Sequence, residues 1–311
     1  MFGNVMAKKK PTYHYSEILE ASQKTTWRVE DLIGGDKQLD FTKRFLPESL
    51  AGVETLNFLS EGEKRTLNQI RGHAYLAIFG LVEEFILPFV MDHARPQLDA
   101  DDYRTRAFLQ FAGEEAKHIH LFKRFSEEFK KGFGSECAVI GPPAEIAGAI
   151  LARRRLAVAL VILHIEWMTQ RHYLDSVAND RRLDPQFKNL LRSHWTEEAQ
   201  HAKLDTLMVE SLAEGCAGRE IDEAVEEYLG IGAFLDAGLK AQAGLDLESF
   251  ERATGRVLAG DDRERFLTVQ HQASRWTYLG SGMTHPNFLA TLEGLRPEAR
   301  ARVEQVSPTF C

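Results

Sequence analysis

The amino-acid sequence predicts an all-α fold, and three observations carry that prediction. Val, Ile, Thr and aromatic residues almost nowhere alternate with period two for more than a few positions, so a sheet is not expected. Long apolar-rich stretches are instead punctuated by helix start and stop signals, among them Ser60 with Glu63, Gly132 and Gly134, and Gly141-Pro142-Pro143. With 311 residues, 44% of them apolar, the chain can bury a large core.

Taken in order, residues 1–58 combine Tyr13-His14-Tyr15, a Gly34-Gly35 break and Pro47, and predict an irregular arm lying across the body. Ser60 followed by Glu63 has the form of a capping box, which starts a long helix ending near Pro96, with Pro88 expected to kink its last turns. A second helix is predicted at about 101–131, a third at about 144–179, and a fourth from Pro185 to the neighbourhood of Gly215 or Gly218. Two helical hairpins with a long connection between helices two and three predict a four-helix bundle with one crossover over residues 59–218. Further helices at about 222–256 and 261–279, then after Pro286 and Pro297, make residues 219–311 an extension packed on the bundle within one domain.

The formal charge of −8 argues against nucleic acid as a partner, since such proteins present a basic face to phosphates. The only basic runs, Lys8-Lys9-Lys10 and Arg153-Arg154-Arg155, are short and read as solvated. Three scattered cysteines, Cys137, Cys216 and Cys311, form neither a disulfide framework nor a zinc clip, and fit a reducing compartment. The longest uninterrupted apolar run, 156–163, falls far short of the ~20 residues that span a bilayer. Residues 1–10 hold no apolar stretch of signal-peptide length, so the expected location is cytoplasmic, without membrane insertion.

The chemistry is concentrated in a repeated pattern. Glu115 and His118 stand three apart on helix two, as do Glu198 and His201 on helix four, so each pair projects from one helical face. Both belong to a Glu-Glu-x-x-His motif. With 46 acidic residues and 11 histidines, one such pair is expected by chance, and alone it could be a solvated pair that merely stabilises its helix. Upstream of each motif, however, a glutamate sits in an apolar stretch, Glu83 and Glu166, and both intervals, 83 to 115 and 166 to 198, are 32 residues. A lone carboxylate resists burial unless it is paired or bound to a metal. Four glutamates and two histidines, one Glu from each of two helices and Glu-x-x-His from each of the others, match the ligand set of di-iron and di-manganese carboxylate bundles. Glu84 is the alternative to Glu83; the wheel places Glu83 within the apolar arc and Glu84 nearly opposite its centre.

At these residues the sequence resembles the ferritin-like di-iron oxygenases, and within them the p-aminobenzoate N-oxygenase group, over about residues 60–215. That group is marked by two copies of a glutamate followed about thirty residues later by acid-Glu-x-x-His, here Glu83 with Glu114-Glu115-Ala-Lys-His118 and Glu166 with Glu197-Glu198-Ala-Gln-His201. It also has an additional histidine ligand four residues before the helix-four glutamate, a place occupied by His194. On a regular helix His194 points to the same side as Glu198 and His201. The resemblance implies two iron ions, or manganese, held by Glu83, Glu115, His118, Glu166, His194, Glu198 and His201, with Glu114 and Glu197 orienting neighbouring groups and no catalytic residue beyond the metal ligands.

The implied activity is oxidation of a small organic substrate with dioxygen, including oxygen transfer to an amine nitrogen. The bundle motif is shared with desaturases, hydroxylase subunits and peroxide-scavenging proteins, so a hydroxylase or desaturase, and a ferritin-like protein for metal handling or peroxide detoxification, stand as alternatives. No nucleotide-binding loop and no flavin, haem or iron–sulfur motif is visible, which implies a separate electron-donor reductase. A homodimer is compatible with the sequence. His120, His164 and His172 lack a partner glutamate at ligand spacing and read as packed or supporting residues, Trp167 and Trp195 read as core aromatics, and Tyr75 has only its place on helix one to suggest a radical role.

Overall fold

A computed structural model describes residues 12–98 and 101–311; the Lys8-Lys9-Lys10 run lies outside them. Among the described residues there is no β-strand, only isolated bridges joining Gly34 to Lys37 and Arg44 to Leu183. The helices, in chain order, are α1 (Tyr15–Lys24), α2 (Val29–Leu32), α3 (Glu48–Ala51), α4 (Glu61–Ala94), α5 (Asp102–Phe133), α6 (Pro143–Leu151), α7 (Arg155–Arg171), α8 (Pro185–Ala213), α9 (Gly218–Thr254), α10 (Gly260–Arg275), α11 (Ser281–Met283), α12 (Pro286–Leu295) and α13 (Pro297–Val306).

Local signals place the ends of the bundle helices. The capping box predicted at α4 is formed: the Glu63 N–H donates to Ser60 Oγ at 3.3 Å and the Ser60 N–H to Glu63 Oε2 at 2.8 Å. Asp101 accepts from the Tyr103 N–H to start α5, and Asp184, followed by Pro185, accepts from the Phe187 N–H at 2.5 Å to start α8. Helix α5 stops where Gly134 turns to φ +75°, a left-handed conformation that side chains disfavour. Helix α4 pairs with α5 and α7 with α8, giving two hairpins joined across residues 134–154, in the ferritin-like arrangement with one crossover. The 37-residue α9 lies against both α4 and α7, and α10 to α13 close over α7 and α9.

Two expectations need correction. The arm is not irregular throughout: α1 is a ten-residue helix that buries Ile18 and Leu19 and packs on α5 and α8. The predicted third helix is broken, because Arg154 adopts an extended conformation while Glu227 accepts from its N–H at 2.7 Å and Glu223 accepts from its guanidinium at 2.7 Å. Past Arg171 the same helix widens into a π-helical segment, His172–Val177.

Helix α4 is long and apolar enough to cross a membrane by length and composition, yet 67% of its most apolar window is buried inside the protein, as befits a core helix. A single apolar core runs from Ile18 to Phe310. Close packing of the C-terminal helices on α7 depends on Gly282, where a Cβ would lie 2.4 Å from the His164 ring.

Several histidines in this core are held neutral by burial. The pKa of His73 falls to about 4, and its ring stacks on Phe129 at 4.6 Å with Nδ1 unpartnered. Because the folded value lies below the unfolded 6.5, this group's stabilising contribution is complete above about pH 6.5 and is lost as the pH falls toward 4. His73→Phe is therefore expected to gain on the parent over that window by roughly 1.4 kcal/mol per pH unit. Urea unfolding of both proteins at several pH values checks this; a difference independent of pH contradicts it.

Candidate metal centre

All seven predicted ligand residues converge at the middle of the bundle, each 0–3% exposed: Glu83 from α4, Glu115 and His118 from α5, Glu166 from α7, and His194, Glu198 and His201 from α8. Donor atoms of Glu83, His118, His194 and Glu198 all lie within 4.8 Å of one another, and so do those of Glu115, His118, Glu198 and His201. The two sets share His118 and Glu198. Glu166 belongs to neither set and lies buried beside Glu198, whose charge raises its pKa. Glu84 points elsewhere: its side chain is 34% exposed and 3.8 Å from Lys123.

The centre has an internal symmetry that the doubled motif encodes. His118 Nε2 lies 2.8 Å from Glu197, and His201 Nε2 lies 2.8 Å from Glu114. Each motif's first acid thus holds the histidine of the other motif, across the α5–α8 interface. Such a contact fixes the ring so that the opposite nitrogen, Nδ1, faces the centre. These acids are held in turn: Ser22 of α1 donates to Glu114 at 2.5 Å, Gln110 donates to it at 2.9 Å, and Lys117 pairs with Glu197. Trp27 from the arm stacks on His118 at 5.8 Å, with the Lys117 ammonium over its own ring.

Inward-facing atoms approach one another without satisfying one another. His201 Nδ1 is 2.9 Å from Glu115 Oε1, and His194 Nε2 is 2.9 Å from Glu198 Oε1. Even so, Glu83 Oε2, both Glu115 oxygens, His118 Nδ1, Glu166 Oε2, Glu198 Oε1 and His201 Nδ1 have no hydrogen-bond partner. Buried polar atoms are ordinarily paired, so a cluster of orphans aimed at common points is the geometry of donors arranged around cations. Four carboxylates match the charge of two divalent ions, and a mixed oxygen and imidazole set suits iron or manganese. The residues fit a di-metal centre.

Electrostatics of the metal-free cluster show what the cations would replace. Burial, together with the charges of Glu83 and Glu198, pushes Glu115 up to about 7. Burial also raises Glu166 well above the carboxylate range, helped by Glu198. Burial would raise Glu198 too, but His194 and His201 hold it well below its usual value. Burial opposes protonation of His118 and His201, yet Glu197 and Glu198 around the first, and Glu198 and Glu114 around the second, raise both well above the imidazole range. The surrounding carboxylates thus favour protons on these two histidines in the metal-free cluster.

Asp205 was not among the predicted residues. It is fully buried one turn beyond His201, neither carboxylate oxygen has a partner, and burial raises its pKa well above normal, with Glu115 and Glu198 adding to the rise and His201 opposing it. Its signal was in the sequence, since positions 198, 201 and 205 lie on one stripe of α8. Ser22 had no such signal, because it reaches Glu114 from 92 residues away. The remaining candidates are engaged elsewhere. His164 contacts the Tyr228 hydroxyl and the Tyr278 carbonyl, His172 contacts Tyr75 and Ser281, and His120 is exposed. Trp167 stacks on His285, and Trp195 on Tyr173.

The family described as AurF, P-aminobenzoate N-oxygenase, matches residues 15–235, which include every residue of the centre. No curated protein matches the chain. Among solved structures, variants of an R2-like ligand-binding oxidase are similar. One with a non-activated Mn/Mn cofactor is 14% identical over 86% of this chain and 92% of its own, with a TM-score of 0.42. Another, with an anaerobically reconstituted Mn/Fe cofactor, is 13% identical over 88% and 94%, with a TM-score of 0.45.

Proposed function

Since this chain belongs to the p-aminobenzoate N-oxygenase family and is an oxidoreductase acting with a di-metal centre, we propose that it is a non-haem di-iron oxygenase that transfers oxygen to a small organic substrate at an amine nitrogen. The observation that carries the reading is the convergence of orphaned donor atoms from Glu83, Glu115, His118, Glu198 and His201 in two adjoining sets, with the orphaned Glu166 buried beside Glu198. Two iron ions, or manganese, held there would supply the binding and activation of dioxygen.

The chain's own residues do the rest. Glu198 and His118 belong to both donor sets and would hold metal there; Glu83 and His194 complete one set, and Glu115 and His201 the other, with Glu166 alongside Glu198. Glu114 and Glu197 hold the two imidazoles in one orientation, which limits the reorganisation needed when charge on the centre changes. His194, an additional imidazole on one side only, makes the two halves inequivalent and restricts where substrate can approach. Phe79, Phe111 and Phe122 pack on these rings and exclude water. Electrons come from a separate reductase in this reading, and the protein works in the cytoplasm with no nucleic-acid partner.

Reduced, iron-loaded protein mixed with dioxygen and an arylamine is expected to give a hydroxylamine or nitro product. Glu83→Ala should abolish that turnover while Glu84→Ala keeps most of it. Turnover of a hydrocarbon or acyl chain but of no amine moves the protein to the hydroxylase or desaturase class.

A further inference from the structure

A cavity of about 300 Å³ lies between α4, the crossover, α7 and α9. Phe79, Val82, Ile165, Met168 and Tyr278 form its buried inner part. Gly141, Ile146, Phe234 and Ala237 stand at its outer end, where Phe234 is 45% exposed. The inner wall is also the wall of the metal centre. Val82 and Ile165 immediately precede Glu83 and Glu166, and the Phe79 ring stands edge-on to His194 at 5.5 Å.

None of the lining side chains carries a charge. The Tyr278 hydroxyl donates to the Tyr75 carbonyl at 3.4 Å. Of the cations on neighbouring elements, Arg71 pairs with Asp246 at 3.2 Å, Arg171 donates to Ser281 and Thr284, and Lys240 of α9 is exposed and does not line the cavity. A carboxylate entering this cavity would lose its water and meet no counter-charge, whereas an alkyl or aryl group would bury its surface favourably. The volume is at the small end of ligand sites, roughly 300–1,000 Å³.

We propose that the part of the substrate pointing away from the metals is uncharged and apolar, an alkyl chain or alkyl-substituted arene, and that a para-carboxylate is disfavoured there. The proposal rests on the oxygenase reading for the position of the reacting group, but binding tests it without turnover.

Anaerobic titration of the metal-loaded protein with 4-butylaniline and with 4-aminobenzoate is expected to give a Kd at least ~10-fold lower for the butyl compound. Gly238→Phe on α9 should weaken 4-butylaniline binding by a similar factor with metal content unchanged. Its Cβ would make an ordinary 3.4 Å contact with Ile140, and replacing a helical glycine does not threaten the helix. Ile146→Arg at the outer end should reverse the preference by supplying the missing cation. Equal or tighter binding of 4-aminobenzoate by the parent, or unaltered 4-butylaniline binding in Gly238→Phe, overturns the proposal. Tight butylaniline binding without oxidation of any substrate would instead overturn the oxygenase reading and leave the cavity's preference standing.

Discussion

Glu198→Ala is expected to reduce the metal content of the purified protein from two ions per chain to one or none, and to lower dioxygen-dependent turnover at least ~100-fold. The size of the effect follows from position. Glu198 belongs to both sets of converging donors, approaches His118, His194 and His201 within 3.5 Å, and lies beside the buried Glu166. The variant would lose a carboxylate common to both donor sets and one of four balancing charges. Its fold should survive, because the apolar core extends well beyond the centre into the arm and the C-terminal helices. Elemental analysis beside far-UV circular dichroism separates the two effects; full metal content in a folded variant contradicts the assignment of Glu198.

Asp246→Ala is expected to be the most destabilising single change outside the centre, at about 3–5 kcal/mol. Arg71 on α4 and Asp246 on α9 are 2% and 1% exposed and pair at 3.2 Å, so removing the carboxylate strands a buried guanidinium whose Nε already lacks a partner. The loss spreads, since Gln242 donates to Asp246 at 2.8 Å while accepting from the Ile140 N–H of the crossover. Burial raises the Asp246 pKa, with Arg71 and Gln242 pulling the other way, which marks the pair as costly to desolvate and costly to break. The double variant Arg71→Met with Asp246→Leu should therefore recover most of the stability in urea unfolding. A double variant as unstable as Asp246→Ala would locate the cost in lost packing instead.

The cluster was legible in the sequence because its candidate ligands repeat. The equal intervals from Glu83 to Glu115 and from Glu166 to Glu198 set each upstream glutamate level with the Glu-x-x-His motif of its own hairpin, and the apolar surroundings of Glu83 favoured it over the partly exposed Glu84. The break between α6 and α7 was not legible. Arg153-Arg154-Arg155 contains no glycine or proline, and the break is made by acids on α9, about seventy residues away. For the same reason the arm's part in the centre was hidden: Ser22 and Trp27 are ordinary residues locally and meet Glu114 and His118 only in the folded chain. Asp205 was readable on the α8 stripe, but it falls outside the Glu-x-x-His spacing that drew attention.

The central claim is that the cluster is a centre for two metal ions, and anaerobic titration of chelator-treated protein with Fe(II) beside a pH indicator tests it most directly. Because Glu197 and Glu114, with Glu198, favour protons on His118 and His201 in the metal-free cluster, metal binding is expected to displace protons from them. The expected result is saturation at two ions per chain with protons released in step. Saturation at one ion per chain or below would contradict the account, whereas binding at two without proton release would correct only the protonation of His118 and His201 in the metal-free cluster.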